Sequence, residues 1–468
     1  MRKKSVSIQL QNISFDRLFV NGSASALFDK GQVHVPFALP GDIADVNVTS
    51  RIGNEYFGKI SFFHEQSSLR QEASCKHFGI CGGCQWQHIN YDEQLKVKQS
   101  WVQNLFSDVI AKDSSFLQAI VPAPDPYFYR NKMEYTFSNR PWTEAVLEDK
   151  SQYKVEKNVV GFHVPGRFDK IMNVEKCFLQ ADPSNSIRDF IQKISFENGY
   201  DHFDSRILKG FLRNLIIRCT HDGQFMVILS VGRDEPLWIE KILSGLKSNF
   251  PDLASIYYVI NLKPNPTLSD QEHILFHGTP EITENINGLS FIIGPKSFFQ
   301  SNTKQTESLY DLVLKMANPK KTDVIYDLYT GAGTIACVLA SHCKEVIGIE
   351  SVEEAVQNAR MNAKKNDIMN AEFYSGDTKD LFTEKLFEKH GSPDIVVLDP
   401  PRPGLHEDVL ASLLSESPEK IVYVSCNPET QLRDVNILRE TYKVSLIAPV
   451  DMVPQTRHVE NVILLEKR

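Results

Sequence analysis

Between Ser5 and His64 apolar and polar residues alternate in short runs, broken by turn signals at Asn21-Gly22, Lys30-Gly31 and Pro40-Gly41-Asp42. A period of two buries one face of a strand, so this stretch predicts the short strands of a small OB-like β-barrel. From residue 75 to about 285 the pattern is mixed: "LIIRCT" and "FMVILSVG" read as strands and "EPLWIEKILSGLKSNF" as a helix, an α+β unit. Within it Leu95, Val97, Trp101, Val102, Leu105 and Phe106 recur at helical spacing. They predict an amphipathic helix from Asn90 to about Asp108, near the span 93–112 expected to pack on the following domain. From Thr322 onward strands at "DVIYDL", "EVIGIE", "AEFYSG", "DIVVLD" and "KIVYVS" alternate with helical segments, and "YKVSLIAPV" and "HVENVILLEK" close the chain as two more strands. That order predicts an open parallel sheet with helices on both faces, whose ligands sit at the carboxyl ends of the strands. The expected organisation is multidomain α/β, with units at 1–68, 69–285 and 286–468.

Length and composition agree with three units: 468 residues exceed one ordinary core, and 42% hydrophobic with 24% charged residues is ordinary globular usage. The start "MRKKSVSIQLQNISFDRLFV" has no apolar core of a secretory leader, and no later stretch approaches the roughly 20 apolar residues of a membrane span. A cytoplasmic location is expected, where eight cysteines favour metal binding or catalysis over disulfides. The net charge of −8 argues against indiscriminate nucleic-acid binding but leaves room for a local basic groove. Two stretches are candidates. "YRNKMEYTFSNR" (129–140) interleaves Arg130, Lys132 and Arg140 with Tyr129, Tyr135 and Phe137, and "RILKGFLRNLIIR" (206–218) has basic residues and no acid. Cations suit phosphates and aromatic faces suit unstacked bases; the plainer reading of each is a solvated strand face.

"YDLYTGAGT" (326–334) follows a strand and precedes a helix, so Gly331 and Gly333 would let the backbone turn sharply against a ligand. Glu350, nineteen residues after Gly331, ends the next strand and is placed to accept from ribose hydroxyls, which points to an adenosine cofactor. "GAGTIA" also satisfies the permissive dinucleotide fingerprint, with Ala336 third. Asp327, ahead of the glycines, suits the amino acid end of S-adenosylmethionine, and "DPPRPG" (399–404) is a feature that an NAD enzyme does not need. Asp-Pro-Pro is also an ordinary strand terminator. Arg402 stands where many amino-group methyltransferases carry an aromatic residue, which points away from amino-group methylation.

"VYVSCNPET" (422–430) leaves Cys426 in a turn at a strand end, either packing or nucleophile. Carbon 5 of uracil is a poor nucleophile, and attack of a thiolate on carbon 6 activates it as an enolate. The enolate accepts a methyl group from a sulfonium donor, and a base must then remove the carbon 5 proton so that the thiolate can leave. "DMVPQTRHVE" (451–460) offers Glu460 as a carboxylate for that step, while Asp399 and Arg402 could clamp the polar edge of the ring.

"DPPRPG", sixteen residues and then "IVYVSCNPET" resembles the nucleophile signature of the RNA uracil-5-methyltransferases, and "DMVPQTRHVE" resembles their second signature, with Val453 where the family usually has Phe. The resemblance spans essentially the whole chain. It implies a Rossmann-like class I methyltransferase domain, with Cys426 as nucleophile and Glu460 as proton acceptor. It further implies contacts to S-adenosylmethionine or the base from Gln300 in "SFFQSN", Tyr329, Glu350, Asp399 and Asp377. The N-terminal module resembles the TRAM domain, an RNA-binding barrel.

"CKHFGICGGC" sets Cys75, Cys81 and Cys84 at C-x5-C-x2-C, and Cys177 in "VEKCFL" is the candidate fourth ligand. Four thiolates suit zinc or an iron–sulfur cluster equally, and the spacing does not fit the C-x3-C-x2-C of radical S-adenosylmethionine enzymes. The pattern, with the following "QWQHINYDEQLKVK", resembles the ribosomal-RNA branch of the family, which implies a [4Fe–4S] cluster and 23S ribosomal RNA as substrate. Cys219, Cys337 and Cys343 lie in apolar runs and read as packing. The expectation is a monomeric enzyme with transfer RNA as the alternative substrate, and an NAD-dependent iron–sulfur oxidoreductase as a remote alternative.

Overall fold

The computed structural model describes residues 4–110, 114–143 and 158–468; positions 111 and 112, the end of the expected helix span, lie outside the described residues. Six strands between Lys4–Ser14 and Glu55–Glu65 form one sheet, in the order Lys4–Ser14, Ile43–Ile52, Glu55–Glu65, Gly31–Pro36, Ser23–Phe28, Arg17–Leu18. Alternation sends Val33, Val35, Ala44, Val46 and Val48 into one core with Phe15 and Tyr56. The link after Lys4–Ser14 extends the pairing of Arg17–Leu18 with Ser23–Phe28, where the Asp16 N–H donates to the Ser25 carbonyl at 3.1 Å. Gly22 (φ +82) packs so close to Trp86 that a Cβ would lie 2.9 Å from its Nε1, which seats this module on the segment after the cysteine loop.

A central seven-stranded sheet runs Ile274–Gly278, Leu253–Ile260, Phe225–Val231, Leu212–Cys219, Lys132–Ser138, Val159–Val164, Arg167–Asn173. Its middle strands Leu212–Cys219 and Phe225–Val231 are buried at every position, which is why they read as continuous apolar runs. Helices Ser184–Glu197 and Pro236–Asn249 bury Ile187, Ile191, Ile242 and Leu246 against one face.

This burial withdraws part of the two expected nucleic-acid stretches from solvent. Tyr129, Tyr135 and Phe137 belong to the central core and present no face to a base. Arg213 is buried, lies over the Phe203 ring and donates to the carbonyls of Asn261, Lys263 and Asn265. Arg218 is buried and donates to Ser297 O at 2.6 Å, while Arg140 and Arg206 pair with Asp204 and Asp169. Arg213 and Arg218 close the sheet onto its neighbours because their strand lies inside it, whereas residues 206–209 stay exposed ahead of that strand. The solvent-facing alternation continues only at Lys132 and Glu134, which with Arg130, Arg167, Lys176, Phe168 and Phe178 line a groove of about 960 Å³ beside the cysteine loop.

The C-terminal sheet has the order Ala371–Ser375, Glu345–Glu350, Val324–Leu328, Ile395–Leu398, Lys420–Ser425, Glu460–Lys467, Tyr442–Val450. The first five strands are parallel, and Glu460–Lys467 runs antiparallel to both its neighbours. Strand order reverses between Val324–Leu328 and Ile395–Leu398, so the loops after these strands part and open a crevice.

Two features cross the expected boundaries. The helix Tyr91–Leu105, capped by Asn90 accepting from the Glu93 N–H at 3.0 Å, buries Val102 with Phe106 against Val435, Leu438 and Ile447 of the C-terminal unit. After it Leu117 and Val121 bridge in parallel to Ile447 and Val450, adding to the sheet edge. The expected boundary at 285 falls inside a hairpin, Ile282–Ile286 with Leu289–Ile293, whose Asn287-Gly288 turn has both residues at positive φ. Among the described residues no helix is long and apolar enough to cross a membrane.

Candidate active site

The loop after Val324–Leu328 is shaped by three left-handed residues, Tyr329 (φ +66), Gly331 (φ +56) and Gly333 (φ +74). A Cβ on Gly331 would meet nothing within 4 Å, so its face is open to a ligand, whereas one on Gly333 would lie 2.8 Å from Ala359 Cβ and 2.9 Å from Phe373. The first glycine serves the cleft and the second the packing of helix Thr334–Ala340. Glu350 is fixed by main-chain donors: Gly331 N–H to Oε2 at 3.2 Å and Val352 N–H to Oε1 at 2.9 Å. With the Ser351 hydroxyl also donating at 3.1 Å, the carboxylate keeps an acceptor position for a ribose hydroxyl.

Asp327 is fully buried, with Oδ2 accepting from the Thr330 hydroxyl at 2.5 Å and Oδ1 without a partner. Burial, with the nearby Asp399, pushes its carboxyl up to about 7. An orphaned buried carboxylate oxygen in the wall of a cleft is the complement of an ammonium group, so these residues fit the amino acid end of S-adenosylmethionine. Tyr310 and Thr334, linked hydroxyl to hydroxyl at 2.6 Å, complete this wall. Asp377 stands outside the cleft lining; it caps helix Thr378–Leu381 by accepting from the Lys379 N–H at 3.2 Å, and its charge lies beside Tyr329.

The reacting end is built by pairing register. Lys420–Ser425 and Glu460–Lys467 pair antiparallel with Ser425 opposite Asn461. The pairing ends there, and Cys426 follows in the bend beyond Ser425, where it lines the same cleft as Glu460 and feels its charge. Gln431, on helix Pro428–Leu438, locks this end by donating to Tyr423 O (2.8 Å) and Asn461 O (3.0 Å) while accepting from Asn461 Nδ2 (2.7 Å). The same helix holds "DPPRPG". Asn427 Nδ2 and Thr430 Oγ1 each donate to Arg402 O at 3.1 Å, Arg433 donates to Pro403 O at 3.0 Å, and Asp434 accepts from the Leu405 N–H at 2.9 Å.

Cys426, Glu460, Asp399, Arg402 and Gln300 therefore share one cleft of about 680 Å³ with Asp327, Tyr329, Gly331 and Glu350. Gln300 Nε2 lies 3.4 Å from Asp399 Oδ2. Burial raises the Asp399 carboxyl to about 7, and burial together with Asp399 raises Glu460 well above the usual carboxylate range, partly offset by Arg402. Burial and then the Glu460 charge push the Cys426 thiol up, while Arg402 pulls it down. The wall is thus rich in carboxylates, with the Arg402 guanidinium beside them, and suits a cationic ligand.

Cys75, Cys81 and Cys84 lie on one loop with Cys177 facing them. The Cys75 thiol donates to Lys176 O at 3.8 Å, Gly83 N–H donates to Cys81 Sγ at 3.4 Å, and Cys177 is buried. Gly82 permits the approach, since a Cβ there would lie 2.9 Å from His163 O. Among the described residues no three of these sulfurs lie mutually within 4.8 Å. Tetrahedral zinc at the usual Zn–S length needs sulfurs about 3.8 Å apart, so the set is wider than a single zinc ion requires. Cys219, Cys337 and Cys343 are buried.

Residues 283–468 match the family model described as tRNA (Uracil-5-)-methyltransferase. A Bacteroides thetaiotaomicron protein named as an uncharacterized RNA methyltransferase is 41% identical over 96% of this chain and 99% of its own. A Porphyromonas gingivalis protein of the same description is 42% identical over 96% and 98%. The chain belongs to the RNA uracil-5-methyltransferase family. The fold of this methyltransferase is similar along 97% of its length to a solved Pyrococcus abyssi tRNA (uracil-54, C5)-methyltransferase in complex with S-adenosyl-L-homocysteine, with a TM-score of 0.75, 27% identity and all of that chain covered. The methyltransferase is an S-adenosylmethionine-dependent enzyme, and the dinucleotide reading of "GAGTIA" gives way to that cofactor.

Sequence reasoning missed several groups. Tyr310 gave no signal because it lies on helix Thr303–Ala317, far along the chain from the glycines. His458 sits inside the recognised "QTRHVE", yet only packing reveals that burial, with Arg402 and other cations nearby, pushes its imidazole down to about 4 and keeps it neutral. Gln455, buried at φ +64, holds the loop that leads to Glu460.

Proposed function

We propose that this enzyme methylates carbon 5 of a specific uridine in 23S ribosomal RNA. The observation that carries the reading is the cleft that Cys426 and Glu460 share, at the end of the Ser425–Asn461 pairing, with Asp327, Tyr329, Gly331 and Glu350. Cys426, its thiol proton given up to solvent, attacks as the thiolate and forms a bond to carbon 6 of the flipped base, and the electron pair of the 5,6 double bond moves toward the ring oxygen as an enolate. Arg402 and Gln300 hold that polar edge, and Asp399 anchors Gln300. S-adenosylmethionine, when bound along Asp327, Tyr329, Gly331 and Glu350, supplies the methyl group that bonds to carbon 5. Asp377 supports the adenine end through Tyr329. Glu460 then takes the carbon 5 proton, the 5,6 double bond re-forms and the Cys426–carbon 6 bond breaks.

Cys75, Cys81, Cys84 and Cys177 would hold a [4Fe–4S] cluster, whose chemistry here is cross-linking the loop, since methyl transfer uses no electron. The resemblance of "CKHFGICGGC" and the following "QWQHINYDEQLKVK" to the ribosomal-RNA branch supports it over zinc. The N-terminal sheet acts as a TRAM-type RNA-binding module, and the groove with Arg130, Lys132, Arg167 and Lys176 carries RNA backbone. Every catalytic group comes from one chain, which supports a monomer.

The test offers labelled S-adenosylmethionine with 23S ribosomal RNA or transfer RNA and maps 5-methyluridine. Transfer RNA is the second reading, favoured by the substrate of the Pyrococcus neighbour, and exclusive methylation of transfer RNA would establish it instead. Cys426→Ala abolishes methylation and leaves cofactor binding; Glu460→Gln accumulates a covalent RNA adduct. Iron and sulfide analysis of anaerobically purified protein decides the cluster.

A further inference from the structure

Glu460 begins its strand opposite Val450, and the loop Asp451–Val459 joins the two. That loop is gripped by the fourteen residues that follow Cys84, which belong to another part of the chain. The N–H groups of Gln85 and Trp86 both donate to Gln455 O, at 2.8 and 3.1 Å. Arg457 N–H donates to Gln85 Oε1 at 3.1 Å. Gln94 clasps Gln455 in both directions, accepting from its N–H at 3.0 Å and donating to its Oε1 at 3.0 Å, while also donating to Ile89 O at 2.9 Å. Lys98 and Asp451, both fully buried, pair at 2.6 Å, and Tyr91 OH donates to the second Asp451 oxygen at 2.9 Å. Gln455 is held at φ +64, a conformation that a non-glycine residue keeps only when its surroundings impose it.

None of these groups touches the cofactor wall, whose loops belong to other strands. Cys426 follows a strand end that Gln431 ties through Tyr423 O, and Gln431 also holds Asn461 beside Glu460. The grip on Asp451–Val459 is a further hold on the carboxylate end, made by groups that line neither the thiol end nor the cofactor wall.

Resting on the proposed methylation chemistry, we infer that Gln94, Lys98 and Gln455 are positioning residues for Glu460, and that the cysteine loop, through Gln85 and Trp86, sets the proton-abstraction step rather than cofactor binding. Attack by Cys426 and methyl transfer precede that step and do not need Glu460. Loosening the grip thus stalls the enzyme after methyl transfer, with RNA still bonded to Cys426 at carbon 6. A displacement of about 1 Å in a reacting group slows its step on the order of 100-fold.

The test is Gln94→Leu in the full chain, which keeps the side-chain volume and removes both arms of the clasp. Three quantities are read: methylated covalent RNA adduct on a denaturing gel, the rate of product release in a single turnover, and S-adenosylmethionine Kd. The expected result is a large rise in adduct with release slowed roughly 10- to 100-fold and Kd within about twofold of wild type. Wild-type release, or lost turnover without adduct, overturns the inference. If Gln94→Leu does not fold, Gln455→Asn decides in its place, because Asn tolerates positive φ and only shortens the clasp; slower release with adduct upholds the inference and wild-type release refutes it. For the loop itself, Cys84→Ala should give the same adduct with Kd unchanged, and either fast release or lost cofactor binding removes the cysteine loop from the account. If wild type makes no 5-methyluridine, or Glu460→Gln forms no adduct, the underlying reading fails; if both hold and Gln94→Leu releases normally, only the positioning role fails.

Discussion

Replacing Asp327 by Asn removes a charge from a carboxyl group that the fold buries completely and leaves with one oxygen unpartnered. In the unfolded chain this carboxyl ionises near its ordinary value of 3.8, and in the folded protein burial and Asp399 raise it to about 7. Below pH 3.8 both states hold the proton and the fold bears no penalty. Between pH 3.8 and 7 the unfolded chain releases it first, so stability falls as pH rises; above pH 7 the folded protein carries the full penalty, about 4 kcal/mol at 1.36 kcal/mol per pH unit. The amide takes the same shape and keeps an acceptor for the Thr330 hydroxyl, but its NH2 group faces the cleft. A net stabilisation of about 3 kcal/mol at pH 8 is expected, a rise of about 6 to 12 °C for a domain of this size. The assay is scanning calorimetry of wild type and Asp327→Asn without ligand at pH 8 and pH 4, with S-adenosylmethionine titrated into each. The variant should melt higher at pH 8, converge with wild type near pH 4, and lose roughly 10- to 100-fold in cofactor affinity as a charged hydrogen bond disappears. A variant that melts at or below wild type at pH 8, or binds the cofactor as tightly, refutes the assignment of Asp327 as a charge kept for the ligand.

Further outcomes follow from the same geometry. Cofactor affinity should weaken as pH falls below about 7, where Asp327 and Asp399 take up protons, and calorimetric titration across pH 6 to 8 checks it. Gly404 has φ +84 and a Cβ there would lie 2.6 Å from Asp434 Oδ2, so Gly404→Ala should destabilise by about 2 to 3 kcal/mol and slow methylation by moving Arg402, read by denaturant melts and initial rates. Lys98→Met strands a buried Asp451 charge and should cost about 3 to 5 kcal/mol, with Lys98→Met/Asp451→Asn recovering much of it in the same melts.

The chemistry of this protein was legible in the chain because reactive groups need particular local turns. Glycines at positive φ, a carboxylate closing a strand and a cysteine breaking one are constraints that act within a few residues, so "YDLYTGAGT", Glu350 and "VYVSCNPET" stand out as candidates in the sequence. Period also fixed the strands of the parallel sheet, since each apolar run ends where its buried backbone ends. What only the tertiary structure decided is which distant groups face one another. The basic and aromatic residues at 129–140 and 206–218 look alike on paper whether they face solvent or a second layer, and burial on both sides made Tyr129, Tyr135, Phe137, Arg213 and Arg218 part of the central sheet while Arg130 and Lys132 stayed on the groove. Strand pairing that ends at Ser425 and Asn461 brought Cys426 and Glu460 into one cleft across 34 positions of sequence, and packing folded the helix Tyr91–Leu105 back onto the loop before Glu460. Pairing of this kind is settled by which surfaces exclude water together, and an apolar face does not name its partner in advance.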